Sequence, residues 1–403
     1  MIVELHLLQN VSPSCLNRDD TNTPKDAEFG GHRRARISSQ CLKRAARKYF
    51  DQGHLLPKSN LSERTKRLAD HLADLLAADG KERAVAHRAA TAALTALMPK
   101  TAEKDSVVKT PYLVFLGRNE IAAIKSELLK HWDVLTTLPS TPPENAGGDA
   151  PAEPAPGKKP GRRAKPDKPA PTGVPDDVKK ALAKLLDGGR AADLALFGRM
   201  LADLPDRNID AACQVAHAIS TNRVAMEMDY YTAVDDFKPD DNEGADMIGT
   251  VEFNSSCFYR YASIDTAQLA KNLGGDADLA RRTVSAFLRA SVEAVPSGKQ
   301  NTFAAHNPPS LVFAVTRAGG QWNLANAFVR PVGGDGPGLV ANSVRALDGY
   351  WGRLVKMYGP PAGLGAAAAT TEDGVLDNLA GFRRDGVADV VKAVDDVLAK
   401  GDR

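Results

Sequence analysis

Cysteine is scarce in this chain. The 403 residues hold four (Cys15, Cys41, Cys213, Cys257), far apart and with no CxxC pair. That spacing argues against a disulfide framework and a thiolate zinc site. Long apolar runs are missing too. No stretch reaches the about 18 apolar residues of a membrane span. The opening MIVELHLL lacks a basic n-region and a cleavage motif, so it reads as a strand and not a signal peptide, and a reducing cytoplasm is the expected compartment. Catalytic signatures are also absent. There is no HxH, HExxH, GxSxG or GxxxxGK[ST], and the eight histidines stand alone. The glycines at 333, 334, 336 and 338 miss the GxGxxG spacing and read as a loop. No cofactor is expected. An excess of charge is lacking as well: 52 basic against 50 acidic residues leave a net +2, which argues at first sight against a nucleic-acid partner.

The total conceals a local patch. Residues 33–48 carry seven basic side chains (Arg33, Arg34, Arg36, Lys43, Arg44, Arg47, Lys48) and no acidic one. Patches, not totals, attract polyanions. Ser38 and Ser39 are good N-caps for a helix starting near Gln40. With about 100° per residue, Gln40, Lys43, Arg44 and Arg47 share one face, and Leu42, Ala45, Ala46 and Tyr49 the opposite one. A merely solvated helix would mix Glu with its Lys and Arg, and this one does not. The helix start adds amides and hydroxyls that favour anions.

Along the chain, Val3, Leu5 and Leu7 alternate on a strand over 2–8. A long polar loop is expected from Gln9 to His32, and loops of that length tend to be functional or disordered. Helical patterns cover about 61–78, 81–98, 119–135, 175–187, 276–295, 341–357 and 385–399, and strand patterns 192–200, 211–220, 248–264, 310–316 and 322–330. The segment 139–177 differs sharply. It holds eleven of the 25 prolines, no Leu, Ile, Phe, Tyr or Trp, and six charges of each sign. Such a composition cannot offset its ordering entropy, so a disordered insert is expected. The polar stretch 222–248, with Met226, Met228, Tyr230, Tyr231 and Met247, reads either as a surface loop packed on its own domain or as a protruding hairpin whose apolar tip wedges against bases or a neighbour. Asp19-Asp20, Asp235-Asp236 and Asp240-Asp241 are acidic pairs of the kind that cap turns. The same carboxylates in a nuclease would hold a divalent ion.

Several ordered blocks carry a family resemblance: SPSCLNRDD at 12–20, KDAEFGG at 25–31, RRARISSQCLKRAARK at 33–48, FGRM at 197–200, VAHAISTN at 215–222, DYYTAVDD at 229–236, CFYRYASID at 257–265 and VPSGKQNTFAAHNP at 295–308. In these the chain closely resembles the CasC-type backbone subunits of the type I-E CRISPR surveillance complex Cascade. The resemblance implies an α+β fold shaped like a right hand. An RRM-like (ferredoxin-like) palm would comprise 1–58, 191–219 and 249–403. Helical fingers would span 59–190, with the insert inside them, and a β-hairpin thumb 220–248.

It also implies a role in binding, not catalysis. The subunit would bind CRISPR RNA (crRNA), polymerise along it as a helical filament, and leave its bases free to pair with target DNA. The large subunit, the small subunit, the 5′-handle-capping subunit and the crRNA-processing endoribonuclease subunit would be its other partners. Carried over by position, Lys25, Gln40, Lys43 and Arg47 would grip the RNA backbone, with Arg18, Ser38, Ser39 and Arg44 beside them. Met200 would pack beside a displaced nucleotide, Thr232 matches a position on the thumb, and Lys299 and Gln300 are further candidates from a matched block. The alternative is a backbone subunit that cuts target RNA with a metal held by Asp19 or Asp20.

Overall fold

The structure is a computed structural model that describes residues 1–104, 107–138, 173–233 and 247–401. The chain divides into two compact units, Met1–Pro57 with Ala211–Arg403, and Lys58–Asp210. The first unit opens with β1 (Ile2–Ser14), β2 (Asp26–Phe29), β3 (His32–Ile37) and α1 (Ser39–Gln52). The second holds β4 (Ser62–Thr65), α2 (Leu68–Ala78), α3 (Arg83–Leu97), β5 (Ala102–Lys104), β6 (Val107–Lys109), β7 (Val114–Gly117), α4 (Arg118–Lys130), α5 (Trp132–Thr136), α6 (Asp176–Lys184) and α7 (Ala192–Phe197). The chain then completes the first unit with β8 (Cys213–Val215), β9 (Ala218–Ser220), β10 (Glu227–Ala233), β11 (Met247–Asp265), α8 (Thr266–Asn272), α9 (Ala277–Glu293), α10 (Gln300–Phe303), β12 (Leu311–Arg317), α11 (Leu339–Tyr358), β13 (Gly365–Thr370) and α12 (Val387–Gly401). Among the described residues no helix is long and apolar enough to cross a membrane.

The first unit is built on one antiparallel sheet of order β13-β12-β1-β11-β9-β3-β2, with β8 and β10 also paired to β11. β1 lies inside it, in register with β11 from Ile2↔Asp265 to Val11↔Ser256 and with β12 from Ile2↔Arg317 to Leu8↔Leu311. Its period-2 alternation serves two covered faces. Leu5 and Leu7 pack with Leu42 and Ala46 of α1 and Phe287 and Ala290 of α9. Leu8 turns the other way, into a core with Tyr259, Phe313, Val344, Leu347 and Trp351.

Glu4 and His6 share that second face and are wholly buried. Buried polar groups must find partners. Glu4 accepts hydrogen bonds from Tyr261 Oη (2.7 Å), Trp322 N (2.6 Å) and Arg317 Nη1 (3.1 Å). His6 Nδ1 meets Tyr259 Oη at 2.9 Å, and burial pushes its pKa down to about 3, so the ring stays neutral.

The second unit packs α2, α3, α4 and α6 through a Leu- and Ala-rich core that includes Leu72, Leu76, Ala90, Leu94, Leu128 and Leu182. It runs to Asp210, so the 191–210 segment, expected in the sheet-bearing part, belongs here. A buried ion pair shows why. Arg199 Nη1 lies 2.9 Å from Glu120 Oε2, and Arg199 also donates to Phe115 O (3.2 Å) and Leu186 O (3.1 Å). Removing either partner of such a pair strands a buried charge, so FGRM at 197–200 is tied to the helices.

Three further expectations need correction. The alternating ADLALF is helix α7, stopped by Gly198 at φ +77°. Residues 324–328 form a 3₁₀ turn, not a strand, with Asn323 capping Ala325 N at 2.9 Å. The polar stretch before His32 is not all loop, because β1 continues to Ser14 and Asp26–Phe29 pairs with β3. Of the expected insert, 139–172 lies outside the described residues, and Val174 already belongs to the helical core.

Candidate nucleic-acid interface

Helix α1 carries the basic patch. Its N-cap is Ser38, whose Oγ accepts from Cys41 N at 3.3 Å, while Ser38 N donates to Asn17 Oδ1 at 2.8 Å. Leu42, Ala46 and Phe50 are its buried residues. The buried stripe therefore centres on Ala46 and is turned from the expected one. Lys43 and Arg47 flank it half-buried, Gln40, Arg44 and Lys48 are exposed, and Ser39, Ala45 and Tyr49 are half-buried. Both reach partly inward: Arg47 Nε is itself buried, and Lys43 lines the cavity beneath α1 with Leu5, Leu7 and Arg260.

Ala45 and Tyr49 instead line a cleft of about 720 Å³ between α1, the 16–22 loop and the 293–298 segment. Arg18, Arg44 and Lys48 line it together with Asp19, Asp20, Glu293 and His306. Tyr49 Oη donates to the Glu293 carboxylate, and that bond raises the phenol's pKa.

The acidic pair in this loop splits by role. Asp19 accepts from Thr21 N (3.0 Å), Thr21 Oγ1 (2.8 Å), Thr23 N (3.0 Å) and Thr23 Oγ1 (2.9 Å). These donors, the Thr23 amide first, lower its pKa to about 2. Asp19 thus organises the loop. Asp20 is exposed at the rim of the cleft. Among the described residues no group of three or more His, Cys, Asp or Glu could hold a metal ion.

Lys25 sits where this loop meets β3. Its amide donates to Asn17 O (2.9 Å) and its carbonyl accepts from Arg36 N (2.9 Å). The 295–308 segment closes in from another side. A Cβ on Gly298 would stand 2.3 Å from Leu16 O, so only glycine permits this approach. Lys299 follows with φ +45°, and its charge and that of Arg18 both act on the buried Cys15 thiol. Gln300 turns its amide inward, donating to Pro296 O (3.0 Å) and Ala305 O (3.3 Å), so it shapes the loop.

Two expected site residues belong to other elements. Met200 is 80% exposed in the second unit. Thr232 is exposed on β10, opposite Ile248. There β10 and β11 pair from Glu227↔Phe253 to Ala233↔Met247 as two arms of a hairpin, with Met228 and Tyr230 more than two-thirds exposed. Tyr231 lies over Gly249, where a Cβ would stand 2.5 Å from its ring. The other acidic pairs, at 235–236 and 240–241, are outside the described residues.

Arg34 departs from the expected surface patch. It is wholly buried, with Nη1 donating to the carbonyls of Ser220 (3.1 Å), Thr221 (2.7 Å) and Asn222 (3.4 Å) and Nη2 to those of Phe328 (2.7 Å) and Val329 (3.1 Å). Arg33 is paired with Asp26. Arg36, one of the basic residues of 33–48, and His217 by contrast join the surface beside Lys25, a pairing that sequence reasoning did not find. Their signal was only that Arg36 and VAHAIS lie in blocks that the fold pairs as β3 and β9.

The CT1975-like protein family matches residues 3–393. Two solved structures resemble the whole chain. One, described as a "CRISPR RNA-guided surveillance complex, pre-nicking", holds a chain 30% identical, with a TM-score of 0.80 over 99% of this chain and 100% of that one. The other, a "CRISPR RNA-guided surveillance complex", holds one 26% identical, with a TM-score of 0.70 over 98% and 99%. No curated protein matches the chain. A match that begins in β1 and ends in α12 takes in the sheet, the helical unit and the basic helix alike, and on it the chain belongs to the CT1975-like protein family.

Proposed function

We propose that this protein is a non-catalytic, crRNA-binding backbone subunit of a type I-E Cascade complex. The observation that carries the reading is the basic flank of α1, capped by Ser38 and set beside the Lys25 loop, in a chain that shares its fold with a chain of an RNA-guided surveillance complex. Under this reading the sheet of the first unit is an RRM-like palm, the helical unit the fingers, and β10–β11 the thumb. Copies assemble head to tail in the cytoplasm along the guide, beside the other Cascade subunits. The protein grips phosphate and sugar, which carry no sequence information, and base pairing with target DNA reads the sequence.

The test is binding of single-stranded RNA as a function of salt. If about four phosphates per subunit are neutralised, log K against log salt has a slope of roughly −3. Lys43→Ala with Arg47→Ala lowers affinity for all sequences alike and flattens the slope by about 1 to 2. Unchanged affinity and slope in that double variant would defeat the assignment.

A further inference from the structure

Arg36 and His217 stand outside the residues assigned above, yet their geometry is that of an anion subsite. Arg36 projects from β3, with its guanidinium held by Nε donating to Asp26 O at 3.0 Å. Its Nη1 lies 3.0 Å from His217 Nδ1, on the turn between β8 and β9. A guanidinium has no acceptor, so Nδ1 must accept and the imidazole proton sits on Nε2. His217 is exposed, and Lys25 adjoins through the bond from Arg36 N to Lys25 O.

We propose that Lys25, Arg36 and His217 form a phosphate subsite that carries the RNA backbone from α1 across the β3–β9 edge of the sheet. The proposal rests on the RNA-binding reading, which already uses Lys25, and extends it to Arg36 and His217. The Arg36 and His217 side chains meet at the surface, the Lys25 charge acts on His217, and the carboxylate of Asp26, whose carbonyl holds Arg36 Nε, is engaged by Arg33. A phosphodiester oxygen placed between the two side chains accepts from the guanidinium and from Nδ1–H of a protonated His217, in place of their direct contact.

The proton count follows from the same contact. The charged groups acting on His217 are Arg36 from β3 and Lys25 from the loop before β2; burial first, then these two cations, lower its pKa, so the ring is neutral in the free protein at neutral pH. A bound phosphate opposes both cations and raises that pKa, so binding takes up a proton at Nδ1, and the direct Arg36–His217 bond gives way to bonds from both groups to the phosphate. Affinity therefore rises as pH falls through the bound-state pKa, down to the lower free-state value.

The experiment measures the affinity of the full chain for a labelled single-stranded RNA between about pH 5 and pH 8. The wild type should bind more tightly as pH falls, with a slope in log K. His217→Ala should abolish that component of the slope and weaken binding about threefold to tenfold at the acid end. Arg36→Lys, which keeps the charge and loses the fork, should retain most of the salt dependence, whereas Arg36→Ala should lose about 0.7 of the log–log slope. If RNA binds but these variants match the wild type in affinity and pH profile, the subsite is overturned and the RNA-binding reading stands. If no RNA binds, that reading fails, and titration with pyrophosphate still decides the subsite. A His217 resonance whose pKa rises with pyrophosphate supports it, and one that does not move overturns it.

Discussion

Helix α1 and the β10–β11 hairpin are both used by the proposed function, and they are held in opposite ways. α1 is fixed by side chains. Leu42, Ala46 and Phe50 are buried, and Ser38 ties its first turn to the chain. The hairpin is fixed by main chain. Its strands pair over seven residues, while Met228, Tyr230 and Tyr231 remain exposed. A surface that must present cations at set spacing needs buried anchors behind it. A surface that must meet another molecule keeps its apolar side chains for the encounter and lets backbone hydrogen bonds carry its shape.

Three substitutions test that contrast, in order of expected effect. Phe50→Ala removes the largest buried side chain of α1 and should cost about 3–5 kcal/mol in chemical denaturation. A loss below about 1 kcal/mol would mean that α1 is not anchored as described. Ser38→Ala removes the cap and should cost about 1 kcal/mol. It should also weaken RNA binding, because the first turn carries Gln40 and Lys43. Equal affinity with lowered stability would separate the cap from the interface. Tyr231→Ala should cost only about 0.2–1 kcal/mol, the scale of one cross-strand pair. Its effect should appear in assembly along RNA, read by sedimentation, with the free chain unchanged. If it unfolds the free chain instead, the hairpin is a structural element and not a contact surface.

The contrast also explains what could be read in advance. α1 was legible because its period, its Ser cap and its lack of acidic residues agree, although the buried stripe proved to be turned toward Phe50. The strand at 248–264 was legible from alternation. Helix α7 was not, since ADLALF alternates like a strand and only packing against Phe115 and the Arg199–Glu120 pair reveals its place. β13 was missed because GAAAAT has no β-branched residue before its final Thr; six backbone pairings to β12 decide it. Arg34 looked like one more surface cation. Nothing local distinguishes it from Arg33, and its carbonyl partners lie about 190 and 295 residues away. The proposed binding face is legible where it is one helix, and hidden at Arg36 and His217, where it is assembled from segments distant in sequence.

β11 has a mechanical consequence. It runs unbroken for 19 residues, roughly 60 Å at about 3.3 Å per residue. One half is clamped between β1 and the β8–β9 strands, and the other half forms the hairpin with β10. No hinge loop separates the two. The arrangement is a cantilever, in which the clamped half sets the aim of the free half. A neighbour that pushes on Tyr230 therefore loads the strand that pairs with Ile2, and the interior of the sheet becomes the spring against which any filament built from this subunit bends.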